Sequence, residues 1–319
     1  MHKFIQFLKT WMLPIAMATG ATLYILYYFI PALHPLGPVC KPIVSGVQRW
    51  GIAVLLFFQF VKTSPHDLKL RRWHLWLLLF QGLTFVGFGL AAAFCPEGGG
   101  RILLECAMVC LVCPTASAAG VITERLGGSL HENVTYLLLI NCAATLLIPT
   151  VIPLVNPAAD LGFWQYVFRL AARIFPLLLG PCILAWIIRY TTKKLQRTLM
   201  RWSKNSFYVW GICLTLAILL ATKALLASHL GLWMIGGIIL VSLACTAVQF
   251  WFGRKAGRSS IEKITAGQAL GQKNTGFLIW LGYSFMTPVT SVAGGLYAIW
   301  QNLFNSWELH EHDRGREII

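Results

Sequence analysis

Two stretches of this 319-residue chain concentrate residue types that could do chemistry. One reads Val112-Cys113-Pro114-Thr115-Ala116-Ser117-Ala118-Ala119-Gly120. The other reads Ala266-Gly267-Gln268-Ala269-Leu270-Gly271-Gln272-Lys273-Asn274-Thr275-Gly276. Both lie in apolar runs, yet both are rich in small, polar and helix-breaking residues where neighbouring runs are Leu, Ile and Phe. Interrupting a helix frees backbone N–H and C=O groups, which can then bind an ion or a solute. Interrupted helices at matching places are the best sequence pointer to a transporter's site. Close helix packing through small residues is the competing reading, but packing alone does not account for Gln272-Lys273-Asn274 in one run. Lys273 carries the most weight. A cation at membrane depth costs about 2.5–3.5 kcal/mol on insertion scales, so it needs a partner, a function or a route to the interface. Of the eleven Asp and Glu, Glu105 and Glu124 are those that fall inside apolar runs rather than at their first residue, both near the ends. Gln81 and Asn141 also lie within apolar runs, as interhelical glue or as the lining of a polar cavity.

The elements that must position these residues follow from composition. The chain is 57% hydrophobic and 12% charged, with a mean hydropathy of +0.67. Soluble domains carry about 25% charged residues, so too little polar surface is left to wrap a soluble globule. Apolar runs of about 20 residues suffice to cross a hydrocarbon core, and in that medium backbone groups are satisfied within helices. The strict alternation of a membrane barrel is absent. The sequence predicts an all-α integral membrane protein with about ten spans, at 10–31, 43–61, 73–95, 102–124, 134–155, 163–189, 206–227, 231–252, 262–283 and 287–306.

The net charge of +15 sits in the short connectors and reads as topology rather than as nucleic-acid binding. Lys62, Lys69, Arg71 and Arg72, the basic stretch 189–204, and Arg254, Lys255, Arg258 and Lys263 fall on one side. Only Lys41 and Arg101 fall clearly on the other. This bias predicts both termini inside, in a multi-pass cell-membrane protein, and the short loops suit a bacterial inner membrane. Arg49, Arg169, Arg173 and Lys223 lie near span ends and are expected to snorkel. A boundary at 156–160 divides the chain into halves 1–155 and 156–319 of five spans each. The second half then enters the membrane inverted, a plan common among secondary transporters. Cys110 and Cys113 lack the second pair or histidine that a metal site needs, and no metal or other cofactor is expected. No HExxH, GxSxG or P-loop is present, so the chain is not expected to be an enzyme or an ATP-driven pump.

On these residues the chain resembles the bile acid:sodium symporter family over most of its length. The most specific stretches are Arg71-Arg72 with Gln81, Pro114 through Thr123, Thr145-Leu146-Leu147-Ile148-Pro149, and Gly271 through Gly276. The resemblance implies two inverted five-helix repeats, with the fourth and ninth helices broken and crossing. It implies a panel of 10–61 and 163–227 and a core of 73–155 and 231–306. It also implies transport of amphipathic organic anions, usually driven by sodium. Most of the family's sodium ligands do not carry over. A Ser-Asn pair falls on Ala119 and Gly120, a Ser and a Thr on Leu137 and Asn141, and a Glu and a Gln on Ala269 and Lys273. Gln81 and Asn274 match. A gapped alignment would instead bring Thr115 and Ser117 into that site.

A sodium site in apolar surroundings favours a carboxylate, and an ammonium at Lys273 would repel the ion, so sodium is disfavoured. The expectation is a transporter of small organic solutes in which Lys273 stands in for bound sodium, held by Gln81, Asn141, Asn274 and freed carbonyls. The ion pathway would comprise these residues with Pro114, Thr115, Ser117, Ala119, Gly120, Ala269, Gln272 and Thr275. The alternative is a membrane receptor or sensor that keeps the transporter fold without turnover. The substrate and oligomeric state are not legible.

Overall fold

The structure is a computed structural model and describes residues 12–158, 161–227 and 230–314. The chain ends, and the Ala159-Asp160 part of the expected half boundary, lie outside the described residues. Regular structure among the described residues is helical throughout. Fourteen α-helices follow in order: α1 (Met12–Phe29), α2 (Gly37–Lys62), α3 (Arg72–Phe94), α4 (Gly99–Val112), α5 (Ala119–Arg125), α6 (Leu130–Val155), α7 (Phe163–Leu178), α8 (Gly180–Thr191), α9 (Lys193–Trp202), α10 (Ser206–Ala227), α11 (Leu232–Ala256), α12 (Ser260–Gly271), α13 (Thr275–Phe285) and α14 (Thr290–Asp313).

Among the described residues, five helical segments are long and apolar enough to cross a membrane: Pro31–Lys62, Arg72–Phe94, Leu130–Val155, Tyr208–Ala227 and Leu232–Ala256. The pair α7 and α8, bent by 42°, is long and apolar enough only when the two helices are taken together, as a broken span or a re-entrant loop. These helices mark the chain as a multi-pass membrane protein in contact with lipid. Many large apolar side chains face outward, Leu83, Trp50 and Leu240 among them, as a lipid-solvated surface requires.

The run 163–189, expected as one span, is therefore two helices. Pro176 lies near the end of α7 and Pro181 in the first turn of α8. A proline lacks the N–H of the helical ladder and its ring crowds the preceding turn. Two of them flanking Leu179 and Gly180 account for the bend. The basic connector 189–204 contains the helix α9. The last run continues well past 306, to Asp313, which carries Glu308 into the helical core.

The two polar stretches interrupt helices where composition pointed. α4 ends at Val112 and α5 begins at Ala119; α12 ends at Gly271 and α13 begins at Thr275. Local chemistry fixes the starts of the neighbouring helices. The Ser129 hydroxyl accepts from Glu132 N at 3.3 Å, and the Ser259 hydroxyl accepts from Glu262 N at 3.2 Å, so α6 and α12 begin with the same cap. The Asn274 side chain accepts from Phe277 N at 3.2 Å and caps α13. Beyond α5, Gly127 takes φ +81°, a left-handed turn that favours glycine. Arg71 pairs with the buried Glu132 at 2.8 Å and ties the start of α3 to α6. That hydrogen bond raises the guanidinium pKa further.

Candidate functional site

The two interruptions meet. Thr115 and Lys273 form an isolated antiparallel bridge. Ala116 N donates to Gln272 O and Asn274 N donates to Pro114 O, each at 2.9 Å. Gln301, from α14, takes both backbone groups of Lys273. Its Oε1 accepts from Lys273 N at 2.8 Å, and its Nε2 donates to Lys273 O at 3.3 Å. A side-chain amide thus acts as the third strand of a one-residue sheet.

The freed carbonyls are largely spent on the protein itself. Gln81 Nε2 donates to Cys113 O at 3.0 Å, and Gln81 Oε1 accepts from the Tyr136 hydroxyl at 2.7 Å. The Thr115 hydroxyl donates to Ala269 O at 2.6 Å, one of the last-turn carbonyls of α12 that the helix cannot satisfy. The Tyr297 hydroxyl donates to Gly271 O at 2.8 Å. Backbone groups inside a membrane protein must find such partners, and here side chains of α3, α6 and α14 support the breaks.

Lys273 is wholly buried, and among the described residues its Nζ finds no hydrogen-bond partner. The expected cage of Gln81, Asn141, Asn274 and freed carbonyls does not hold the amine. The Gln81 amide and the Asn274 Oδ1 bond elsewhere, and both side-chain polar atoms of Asn141 are buried without partners among the described residues. Among the described residues no hydrogen bond reaches the backbone N–H or C=O of Thr115 either. Unpartnered polar groups thus remain on α6 and on both breaks. A buried orphan of this type costs about 1–3 kcal/mol, and more if charged.

Beside the breaks lies a cavity of about 390 Å³. Its wall includes Ser117, Gln272, Lys273, Asn274 and Thr275 together with Lys62 from the end of α2. Ile52 on α2 and Trp210 on α10 also line it. Lys62 is exposed and has no ion pair among the described residues. Of the expected pathway residues, Pro114, Thr115, Gln272, Lys273, Asn274 and Thr275 come together at the crossing. Ser117 faces the cavity. Ala119 and Gly120 are buried at the start of α5, and a Cβ on Gly120 would meet Leu130 at 2.6 Å. Ala269 contributes its carbonyl only.

A second polar group was not anticipated. Glu308, 1% exposed, pairs with Arg254 and accepts from Gln268. Gln272 donates to Gln268, and also to Asn305 at 3.2 Å. Gln301, Asn305 and Glu308 form one face of α14 at helical spacing, and that periodicity was the available signal. On α13, Tyr283 and Phe285 receive cations: the Lys223 amine lies 5.5 Å from the first ring and the Arg173 guanidinium 5.9 Å from the second. Groups of His, Cys, Asp and Glu able to hold a metal are not found among the described residues. No family model matches this chain, and no curated protein matches it.

Proposed function

We propose that this chain is a secondary transporter that carries small organic anions by alternating access, with Lys273 in place of a coupling sodium ion. In this reading ten spans form two inverted repeats. The spans are α1, α2, α3, α4 with α5, α6, α7 with α8, α10, α11, α12 with α13, and α14. The observation that carries the reading is the crossing of two interrupted helices beside an open cavity. Interrupted spans at a repeat interface are where transporters bind solute. The same place in each half, the fourth of five, bears the interruption.

The cavity runs from the crossing to Lys62 and Ser206, at the ends of α2 and α10 next to the basic connectors. This supports a state open to the cytoplasm. The cation–π contacts of Lys223 and Arg173 lie toward the other end of α13 and would hold the opposite side shut. An anionic group entering past Lys62 would be drawn by that exposed ammonium. Lys273, Asn141 and the backbone of Thr115 retain unused hydrogen-bonding capacity for the translocation step.

The test is counterflow in proteoliposomes with a panel of radiolabelled amphipathic carboxylates and sulfates, run in sodium and again in choline. Counterflow that is unchanged by choline is the expected result. A steep dependence on sodium removes the role given to Lys273. Saturable binding without counterflow favours a receptor that retains the fold.

A further inference from the structure

The helix α9 joins α8 to α10 and reads Lys193-Lys194-Leu195-Gln196-Arg197-Thr198-Leu199-Met200-Arg201-Trp202. None of its residues is buried. At about 100° per residue, Lys193, Lys194, Arg197 and Arg201 fall within an arc of about 100°, and Leu195, Leu199 and Trp202 fall on the opposite side. Leu195 is 42% exposed and Trp202 60% exposed, so the apolar arc is only partly used by the protein. Leu199 alone packs against the main core. The helix contains no acid, and none of its four cations forms an ion pair among the described residues. The turn at Thr192 sets α9 apart from the end of α8, which belongs to a candidate span.

We infer that α9 lies in the headgroup layer of the bilayer and binds anionic phospholipid. The basic arc meets phosphate headgroups, and the side chains of Leu195 and Trp202 enter the acyl boundary. Such a segregation of cations from apolar side chains is what an interfacial helix requires. Juxtamembrane cations are drawn to an anionic leaflet. A purely solvated charged helix would leave Leu195 and Trp202 in water with no compensating contact. The inference rests on the chain being a bilayer protein and not on its carrying a solute, so a failed transport assay leaves it standing.

The experiment uses the full chain in mixed micelles of phosphatidylcholine and phosphatidylglycerol, with retained lipids counted by native mass spectrometry. The wild-type chain is expected to prefer phosphatidylglycerol. The variant Lys193→Gln/Lys194→Gln/Arg197→Gln/Arg201→Gln is expected to lose at least tenfold of that preference, while Lys193→Arg/Lys194→Arg keeps it. Leu195→Ser/Trp202→Ser is expected to weaken retention of both lipids at this site. An unchanged preference in the Gln variant overturns the inference. So does an equal loss from Lys255→Gln/Arg258→Gln, since the effect would then be general charge. Inorganic polyphosphate that binds the wild type as well as phosphatidylglycerol does, with no effect of Leu195→Ser/Trp202→Ser, would make α9 a soluble-polyanion site and equally overturn it.

Discussion

Thr115 and Lys273 stand opposite each other as a single antiparallel pair, bracketed by two backbone hydrogen bonds of 2.9 Å. The Thr115 hydroxyl also reaches Ala269 O, and Gln301 holds the far edge of Lys273. Two helices are thereby stopped at one point without leaving most of their broken backbone unsatisfied. Among the described residues, the Lys273 amine, the Asn141 amide and the Thr115 backbone are left without hydrogen-bond partners.

Thr115→Val keeps the shape and removes the hydroxyl that caps α12. Ala269 O is left without its buried donor, which costs about 1–3 kcal/mol. A lower unfolding midpoint in detergent is expected, while Thr115→Ser stays near wild type.

Lys273→Met replaces a buried amine that has no partner among the described residues with an apolar side chain of similar reach. Apolar substitutes for buried charge are often stabilising, and relief of the orphan contributes about 1–3 kcal/mol. The thermal midpoint rises, and counterflow of the anion panel falls to background. A lower midpoint would show that the amine is satisfied in the folded protein.

Glu308→Ala leaves Arg254 without its buried carboxylate and removes an acceptor from Gln268. The loss of that acceptor alone costs about 1–3 kcal/mol. Poor recovery of monodisperse protein and a large drop in midpoint are expected, whereas Glu308→Asp retains part of the stability.

Gly253→Ala tests how closely α11 approaches α12. A Cβ there would sit 2.5 Å from Ala266 O and 2.8 Å from the Gly267 Cα. Backbone cannot swing aside as a side chain can, so overpacking of about 1–3 kcal/mol follows. The midpoint drops, and Gly46→Ala, where a Cβ meets nothing within 4 Å, gives the control.

Ser117→Trp places an indole in the cavity wall without touching the bridge. Counterflow is expected to fall at least tenfold while the thermal midpoint stays close to wild type. Equal counterflow would move the solute path elsewhere.

Both interruptions were legible in the sequence because proline, glycine and amides inside an apolar run have few other causes. What the breaks bond to was not. Gln81, Tyr136, Tyr297 and Gln301 reach them from distant parts of the chain, and one sequence carries no record of such pairs. Gln301, Asn305 and Glu308 share a helical period, yet an apolar run judged to end at 306 separates Glu308 from the others. The bend between α7 and α8 had its signals in Pro176, Gly180 and Pro181, outweighed by the continuous apolar character of 163–189. In α9 the density of charge hid the apolar stripe of Leu195, Leu199 and Trp202.

The bond from Thr115 to Ala269 joins residues 154 apart, which sets an order of manufacture. At about 5–20 residues per second, roughly 8–30 s separate the synthesis of the two. During that interval the first interruption exists without the strand that completes it. Truncation before Ala269 therefore yields a chain in which Thr115 lacks the acceptor of its hydroxyl.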